Sequence, residues 1–207
     1  MAKKHYKNLQ EGVSVLIPTL GNFYFYDFKK LIKKLISEDL IFLKIKFEIL
    51  IIFNQEEQTL IYKKLQKEYK LDSNIKIYHE SKKGIVNALN TGIKHSNYSL
   101  IARQDDDDKS LPLRIKKTID FLIKGNYDLA FTKSILIKNK SIKYWDKEVN
   151  NRLKIQLLFY NPFVHATMII KKELILKVNG YKFRNGAEDH ELFLRLAYDD
   201  AKFGLLK

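Results

Sequence analysis

Two acidic spots stand out in a chain whose formal charge is +14. The first is Asp105, Asp106, Asp107 and Asp108, directly behind the apolar run YSLIARQ (98–104). Four adjacent carboxylates repel one another, and capping a helix takes only one. The run therefore has two readings. It is a solvated acidic turn that caps the following helix, or it holds a hard divalent cation, Mn2+ or Mg2+, which takes carboxylate oxygens and keeps open positions for phosphate. The second spot is RNGAEDHELFLRLAYDD (184–200). On a helix Asp189, Leu192, Phe193 and Leu196 share a face, so Asp189 points the way core residues point. The helix dipole keeps such a carboxylate ionised while partial burial raises its pKa, a balance suited to a general base. An N-terminal cap, with Glu188 or Glu191 as spare charge, fits the same residues.

The elements that position these groups follow from hydrophobic patterning. VSVLIP (13–18), FEILIIFN (47–54), NIKIYHE (74–80) and YSLIARQ (98–104) read as strands. Between them FYDFKKLIKKLI, EEQTLIYKKLQKEY and IVNALNTGIKH have helical spacing. Strand and helix in alternation predict an α/β fold, a mostly parallel central sheet flanked by helices and built from right-handed crossovers. In such sheets ligands bind beyond the carboxyl ends of the strands, where Pro18, Thr19, Asn54 and Asp105 all fall. With 207 residues and no linker or repeat, the expectation is one domain, or one lacking a terminal piece.

Composition narrows the function classes. Lys plus Arg is 38 against 24 Asp plus Glu, which suits nucleic acid, an anionic membrane surface or phosphorylated ligands. Nucleic acid is disfavoured, because no aromatic-basic RNA motif is present and an acidic tetrad repels phosphate unless metal is bound. The absence of Cys removes disulfides and thiolate metal sites and suits a cytoplasmic setting. No apolar run approaches the roughly 20 residues that span a bilayer. The lysines of FKKLIKKLISEDL alternate with apolar residues, so this helix is the expected point of peripheral contact with the inner face of an anionic membrane. A Lys-rich surface from biased composition accounts for the same pattern.

VSVLIPT, SKKGIVNALNTGIK, YSLIARQDDDDKSLPLRI, NPFVHATMIIKKELILKVNGY and GAEDHELFLRL occur in an order and spacing that resemble the family 2 glycosyltransferases, inverting enzymes of the GT-A fold. The resemblance covers nearly the whole chain and is strongest to small bacterial transferases that build lipooligosaccharide, O-antigen and capsule. It implies a nucleotide-sugar half at about 12–108 and an acceptor and catalytic-base half at about 109–207. It places the family's DXD motif on Asp105, Asp106 and Asp107, with Asp105 near the ribose and donor sugar, Asp107 on the metal, and Asp105 and Asp107 together holding that metal. Arg103 is expected beside the donor or holding the acidic loop, Pro18 and Thr19 against the nucleotide, and Gly84 and Asn87 in the donor-binding segment, with Asn90 structural. Asp189 matches the catalytic base. His165 borders the acceptor side or is a satisfied core histidine, Glu188 adjoins the acceptor, and His190 faces away from the base.

One position departs from the family. Where its second strand usually ends in an acidic pair and a Gly, this chain has Phe53, Asn54 and Gln55. The Asn54 carbonyl could accept the N3 proton of uracil, or its amide could flip to suit another base. The expectation is a UDP-sugar donor, with a glycan or lipid-linked glycan as acceptor. An inactive or truncated sugar-nucleotide-binding relative is the alternative.

Overall fold

The computed structural model describes residues 11–21, 25–54, 60–138, 141–145, 149, 152–184 and 186–206. Strand β1 (Gly12–Thr19) is buried along its full length, as an apolar run on both faces demands. It pairs in parallel with β2 (Lys46–Phe53) on one side and β4 (Leu100–Arg103) on the other, and β2 pairs in parallel with β3 (Ile75–His79). The crossovers are α1 (Phe25–Glu38), α2 (Leu60–Glu68) and α3 (Ile85–His95). The second half supplies α4 (Arg114–Lys124), β5 (Leu129–Thr132), a hairpin of β6 (Ser134–Lys138) and β7 (Ser141–Trp145), α5 (Leu153–Phe159), β8 (Ile169–Lys171), α6 (Lys172–Lys177), α7 (Glu188–Tyr198) and β9 (Phe203–Leu206).

Seven strands form one sheet in the order β3-β2-β1-β4-β8-β5-β9, with β8 antiparallel to both neighbours. This is the mostly parallel α/β sheet that the patterning predicts. Because β1 leads outward to β2 while β4 lies on its other side, the strand order reverses between β1 and β4, and in sheets of this kind the carboxyl ends at that point are where ligands bind. Two cores cover the sheet. Val13, Val15, Ile17, Ile49 and Ile51 pack with α1, α2 and α4, and Leu16, Leu50 and Ile52 pack with α3, α5, α6 and α7.

Helix α1 is the element expected to touch a membrane. Its apolar stripe, Phe28, Ile32 and Leu35, is buried in the first core. It turns Lys30, Lys33 and Lys34 to solvent, together with Tyr26, so a contact of this helix with an anionic surface would be chiefly electrostatic. Among the described residues no helix is long and apolar enough to cross a membrane.

Candidate active site

The ends of β1 and β4 meet at the acidic run. The Thr19 hydroxyl donates to Asp106 Oδ2 at 2.5 Å and accepts from the Gly21 N–H at 2.8 Å. Arg103, itself buried, donates to Asp105 Oδ1 and to the Gln104 carbonyl at 2.6 Å, and its Nε has no partner among the described residues. Gln104 Nε2 donates to the main-chain carbonyls of Asp105 (2.9 Å) and Asp108 (3.0 Å). Beneath it Arg114 donates to Gln104 Oε1 at 3.1 Å, to Ser110 Oγ at 2.8 Å and to the Arg103 carbonyl at 3.3 Å. Burial pulls the Arg114 guanidinium down to about 10, against the pull of Asp39 and Asp108. The acidic loop is therefore clamped from below through its main chain.

The bonds at the start of α4 settle whether the run is a cap. Helix α4 is capped by Asp39, a buried residue from the other end of the first crossover, whose carboxylate accepts from the N–H groups of Ile115 (2.7 Å) and Lys116 (2.9 Å). None of the four aspartates serves that helix. Burial, aided by the charges of Asp107 and Asp105 and opposed by the Thr19 bond, pushes the Asp106 carboxyl up. Partial burial and the charges of Asp105 and Asp107 do the same to Asp108. Mutual repulsion of this kind is what a cation relieves. Among the described residues no group of three or more His, Asp and Glu forms a closed metal cage. Asp107 is exposed and one oxygen of Asp105 lies outside the Arg103 bond, a donor set that fits a hard cation whose remaining ligands come from a diphosphate.

At the end of β2, Asn54 is 4% exposed and brackets the neighbouring turn. Its Nδ2 donates to the carbonyls of Glu80 (3.0 Å) and Lys82 (2.7 Å), and its Oδ1 accepts from Gly84 N–H at 2.6 Å. Both amide hydrogens are spent, so the flip considered for another base would break all three bonds. Only the second lone pair of Oδ1 is left for a ligand. Gly84 opens α3 at φ 113°, and a Cβ there would stand 3.3 Å from the Phe183 ring. Asn87 donates to the Lys83 carbonyl at 2.9 Å, which tightens the same turn. Gln55 lies outside the described residues.

The second acidic spot begins α7, where Asp189 is half-buried on the side that carries the buried Leu192, Phe193 and Leu196. Asp189 accepts from Asn161 Nδ2 at 3.0 Å and from the His190 N–H at 2.6 Å, and the His190 ring is bonded through Nε2 to the Leu157 carbonyl at 2.6 Å. Tyr181 is buried, with its hydroxyl 2.7 Å from His165 Nε2, and the His165 ring lies 6.2 Å from that of Phe193 on α7. Burial pushes the Tyr181 phenol up, opposed by Arg103 and reinforced by Asp189, Glu188 and Asp105. Burial, and then Arg103, holds His165 well below its ordinary value, so it is neutral near pH 7. Asn90 pairs with the main chain of Tyr181 through both ends of its amide, at 2.9 Å each, which is the structural work expected of it.

The sequence pattern of the family described as Glycosyl transferase family 2 matches residues 14–180. The chain belongs to that family. The O-antigen biosynthesis glycosyltransferase WbnJ of Escherichia coli is 36% identical over 155 residues, 72% of this chain and 60% of that protein. The E. coli UDP-Gal:alpha-D-GlcNAc-diphosphoundecaprenol beta-1,3-galactosyltransferase is 32% identical over 121 residues, 56% of this chain and 44% of that one. The chain thus spans 60% or less of the length of these relatives. Among solved structures, the mannosyltransferase PcManGT of Pyrobaculum calidifontis, in complex with GDP-Man and Mn2+, superposes with a TM-score of 0.67 at 15% identity, covering 95% of this chain and 55% of that one. The fold is therefore GT-A.

Sequence reasoning missed Gln104, Arg114, Asp39, Asn161 and Tyr181. Gln104 and Arg114 lie within the quoted stretch YSLIARQDDDDKSLPLRI, but Arg114 reaches Gln104 only because α4 folds back under the loop. Asp39 and Asn161 serve groups 76 and 28 residues away and leave no local signal.

Proposed function

We propose that this family 2 protein is an inverting glycosyltransferase that moves a hexose or N-acetylhexosamine from a nucleoside diphosphate sugar to an acceptor hydroxyl in the synthesis of a bacterial surface polysaccharide. The observation that carries the reading is the chain of bonds that ties the two acidic spots together: Asn161 holds Asp189, and the same segment, running on through His165, accepts at the Met168 carbonyl from the Arg103 N–H at 2.8 Å, while the Arg103 side chain holds Asp105. Donor-phosphate chemistry and a base for the acceptor then share one crevice.

Asp189 is the proposed base. Held by Asn161 and the start of α7, it takes the proton of the acceptor hydroxyl as that oxygen attacks C1 of the donor sugar. The C1–O bond to the diphosphate breaks on the opposite face, the nucleoside diphosphate leaves with the electron pair, and configuration inverts in a single displacement. Asp105 and Asp107 would hold Mn2+ or Mg2+, which when bound neutralises charge developing on the leaving diphosphate. Arg103 fixes Asp105, and Thr19, following Pro18, fixes Asp106. UDP is the proposed carrier, supported by the galactosyltransferase whose name contains UDP-Gal. The free lone pair of Asn54 Oδ1 would accept the uracil N3 proton. That relative's name also supports a lipid-linked glycan acceptor, approaching past Glu188. His165 acts behind the crevice, through Tyr181.

The test is calorimetric titration of UDP, GDP, CDP and dTDP with Mn2+ and again with EDTA. We expect metal-dependent binding of UDP, lost in Asp107→Asn. Binding of none of the four would leave the chain an inactive relative, and metal-independent binding would remove the cation from the scheme.

A further inference from the structure

The hairpin of β6 and β7 stands outside the seven-stranded sheet. Its register pairs Ile135 with Tyr144 and Ile137 with Ile142, and directly opposed residues of an antiparallel pair project to the same side. One face therefore consists of Ile135, Ile137, Ile142 and Tyr144, which are 50%, 71%, 61% and 69% exposed. On the other face Trp145 donates its indole N–H to the Pro162 carbonyl at 3.2 Å. Pro162 follows Asn161, the partner of Asp189. Helix α5, which leads into the same loop, exposes Ile155, Leu158 and Phe159. The hairpin is thus fixed beside the proposed base while it turns an apolar face to solvent. Contiguous apolar surface of this kind marks an interaction site.

Charge selects the occupant. Residues 133–145 hold four lysines, at 133, 138, 140 and 143, and no Asp or Glu. Lys133, just before β6, is exposed, and so is Lys143, which lies opposite Leu136 on the Trp145 side and flanks the apolar face rather than standing in it. A second copy of the chain would set lysines against lysines. A surface that offers acyl chains bordered by negative headgroups satisfies both the apolar side chains and the lysines.

We propose that this hairpin face seats the protein on an anionic lipid surface, so that the Asp189 end of the crevice is presented to a membrane-borne acceptor. The proposal deepens the lipid-linked acceptor reading above and rests on it. The apolar stripe of α1 is spent in the core, so the hairpin supplies the apolar contact that α1 does not.

The experiment is flotation of the whole chain with vesicles of about 30 mol% phosphatidylglycerol in phosphatidylcholine, and with phosphatidylcholine alone, at low and high salt. The variants are Ile137→Glu/Ile142→Glu, the milder Ile137→Ser/Ile142→Ser, and Lys30→Glu/Lys33→Glu on α1 as a comparison. We expect the wild type to float with anionic vesicles at low salt. The hairpin glutamates should reduce partitioning by at least roughly tenfold, the serines by less, and the α1 pair least of all. Equal flotation of wild type and hairpin variants, or an equal loss from α1, overturns the proposal. So does sedimentation of the wild type as a dimer that the hairpin variants abolish while vesicle binding is unchanged. UDP titration on the same samples separates the two readings: absence of UDP binding in the wild type sinks the donor assignment alone, and retained UDP binding in the hairpin variants certifies that they fold.

Discussion

Asn54 is where the chain departs from its family's pattern, and its hydrogen bonds make the departure testable. In Asn54→Asp the Nδ2 donor becomes an oxygen facing the carbonyls of Glu80 and Lys82. Two donor bonds are replaced by repulsion, at a cost of about 1–3 kcal/mol of stability. The Gly84 turn loosens with it, and UDP affinity should fall roughly tenfold. A melting curve and a UDP titration read both effects, and an Asn54→Asp variant that melts like the wild type and binds UDP more tightly would return acidic base recognition to this position. For Asp189→Asn the expected result is an unchanged donor Kd with transfer reduced by roughly 10² to 10⁴. Full turnover would remove Asp189 from the base role. The aspartates were legible because charge placed against apolar runs is visible along the chain. Their supports were less so, although one signal existed. In a chain with 38 Lys and Arg but only five Arg, at 103, 114, 152, 184 and 195, a scarce arginine marks a place that needs a planar fork of donors. Arg103, Arg114 and Arg195 each bond two or more groups in this way.

Among the elements, β2 carries a buried carboxylate at the sheet edge opposite the crevice. Glu48 accepts from Ser14 on β1 (2.7 Å), Lys76 on β3 (2.8 Å) and the main chain (2.6 Å) and side chain (2.7 Å) of Asn97 before β4. Burial disfavours its ionised form, but the bonds from Lys76, Asn97 and Ser14 outweigh it and hold its folded-state pKa below the ordinary 4.5. The unfolded chain therefore takes up this proton first on acidification. The stabilisation is present above about pH 4.5 and is lost as pH falls through the folded-state value. Glu48→Gln should cost about 1–3 kcal/mol at about pH 7, and the gap to the wild type should narrow at about pH 3.5. Thermal melts at the two pH values check this, and a gap that does not narrow would detach the carboxylate from the effect. The four parallel strands and α3 were legible because unbroken apolar runs and a 3.6-residue period survive in one dimension. The reversed β8 has three residues, too few for a period, and the β6–β7 hairpin breaks the pattern by exposing its apolar face. The stripe of α1 was visible, but whether it meets a sheet or a membrane is decided by partners distant in sequence.

Across the whole molecule neither half has a core of its own. Ile115, Ile119 and Leu122 of α4 and Ile169 of β8 share a core with Val13, Val15 and Ile17 of β1. Leu16, Leu50 and Ile52 of the first half pack in the cluster that holds Phe131, Phe163 and Phe193 of the second, where Phe131 stacks on Phe163 at 4.1 Å between centroids. The halves should therefore unfold together, a consequence that the single tryptophan makes measurable. Trp145 lies in the second half against Pro162, whereas Leu50 is a fully buried residue of β2 in the first. Leu50→Ala removes buried volume worth about 2–5 kcal/mol, and each kcal/mol lowers the midpoint of a chain this size by about 2–4 °C. If the cores are shared, Trp145 fluorescence and far-ultraviolet circular dichroism will shift by the same amount and keep coincident midpoints. A Trp145 transition that stays at its wild-type temperature while the dichroism moves would mean that the half carrying Asp189 folds as a unit of its own.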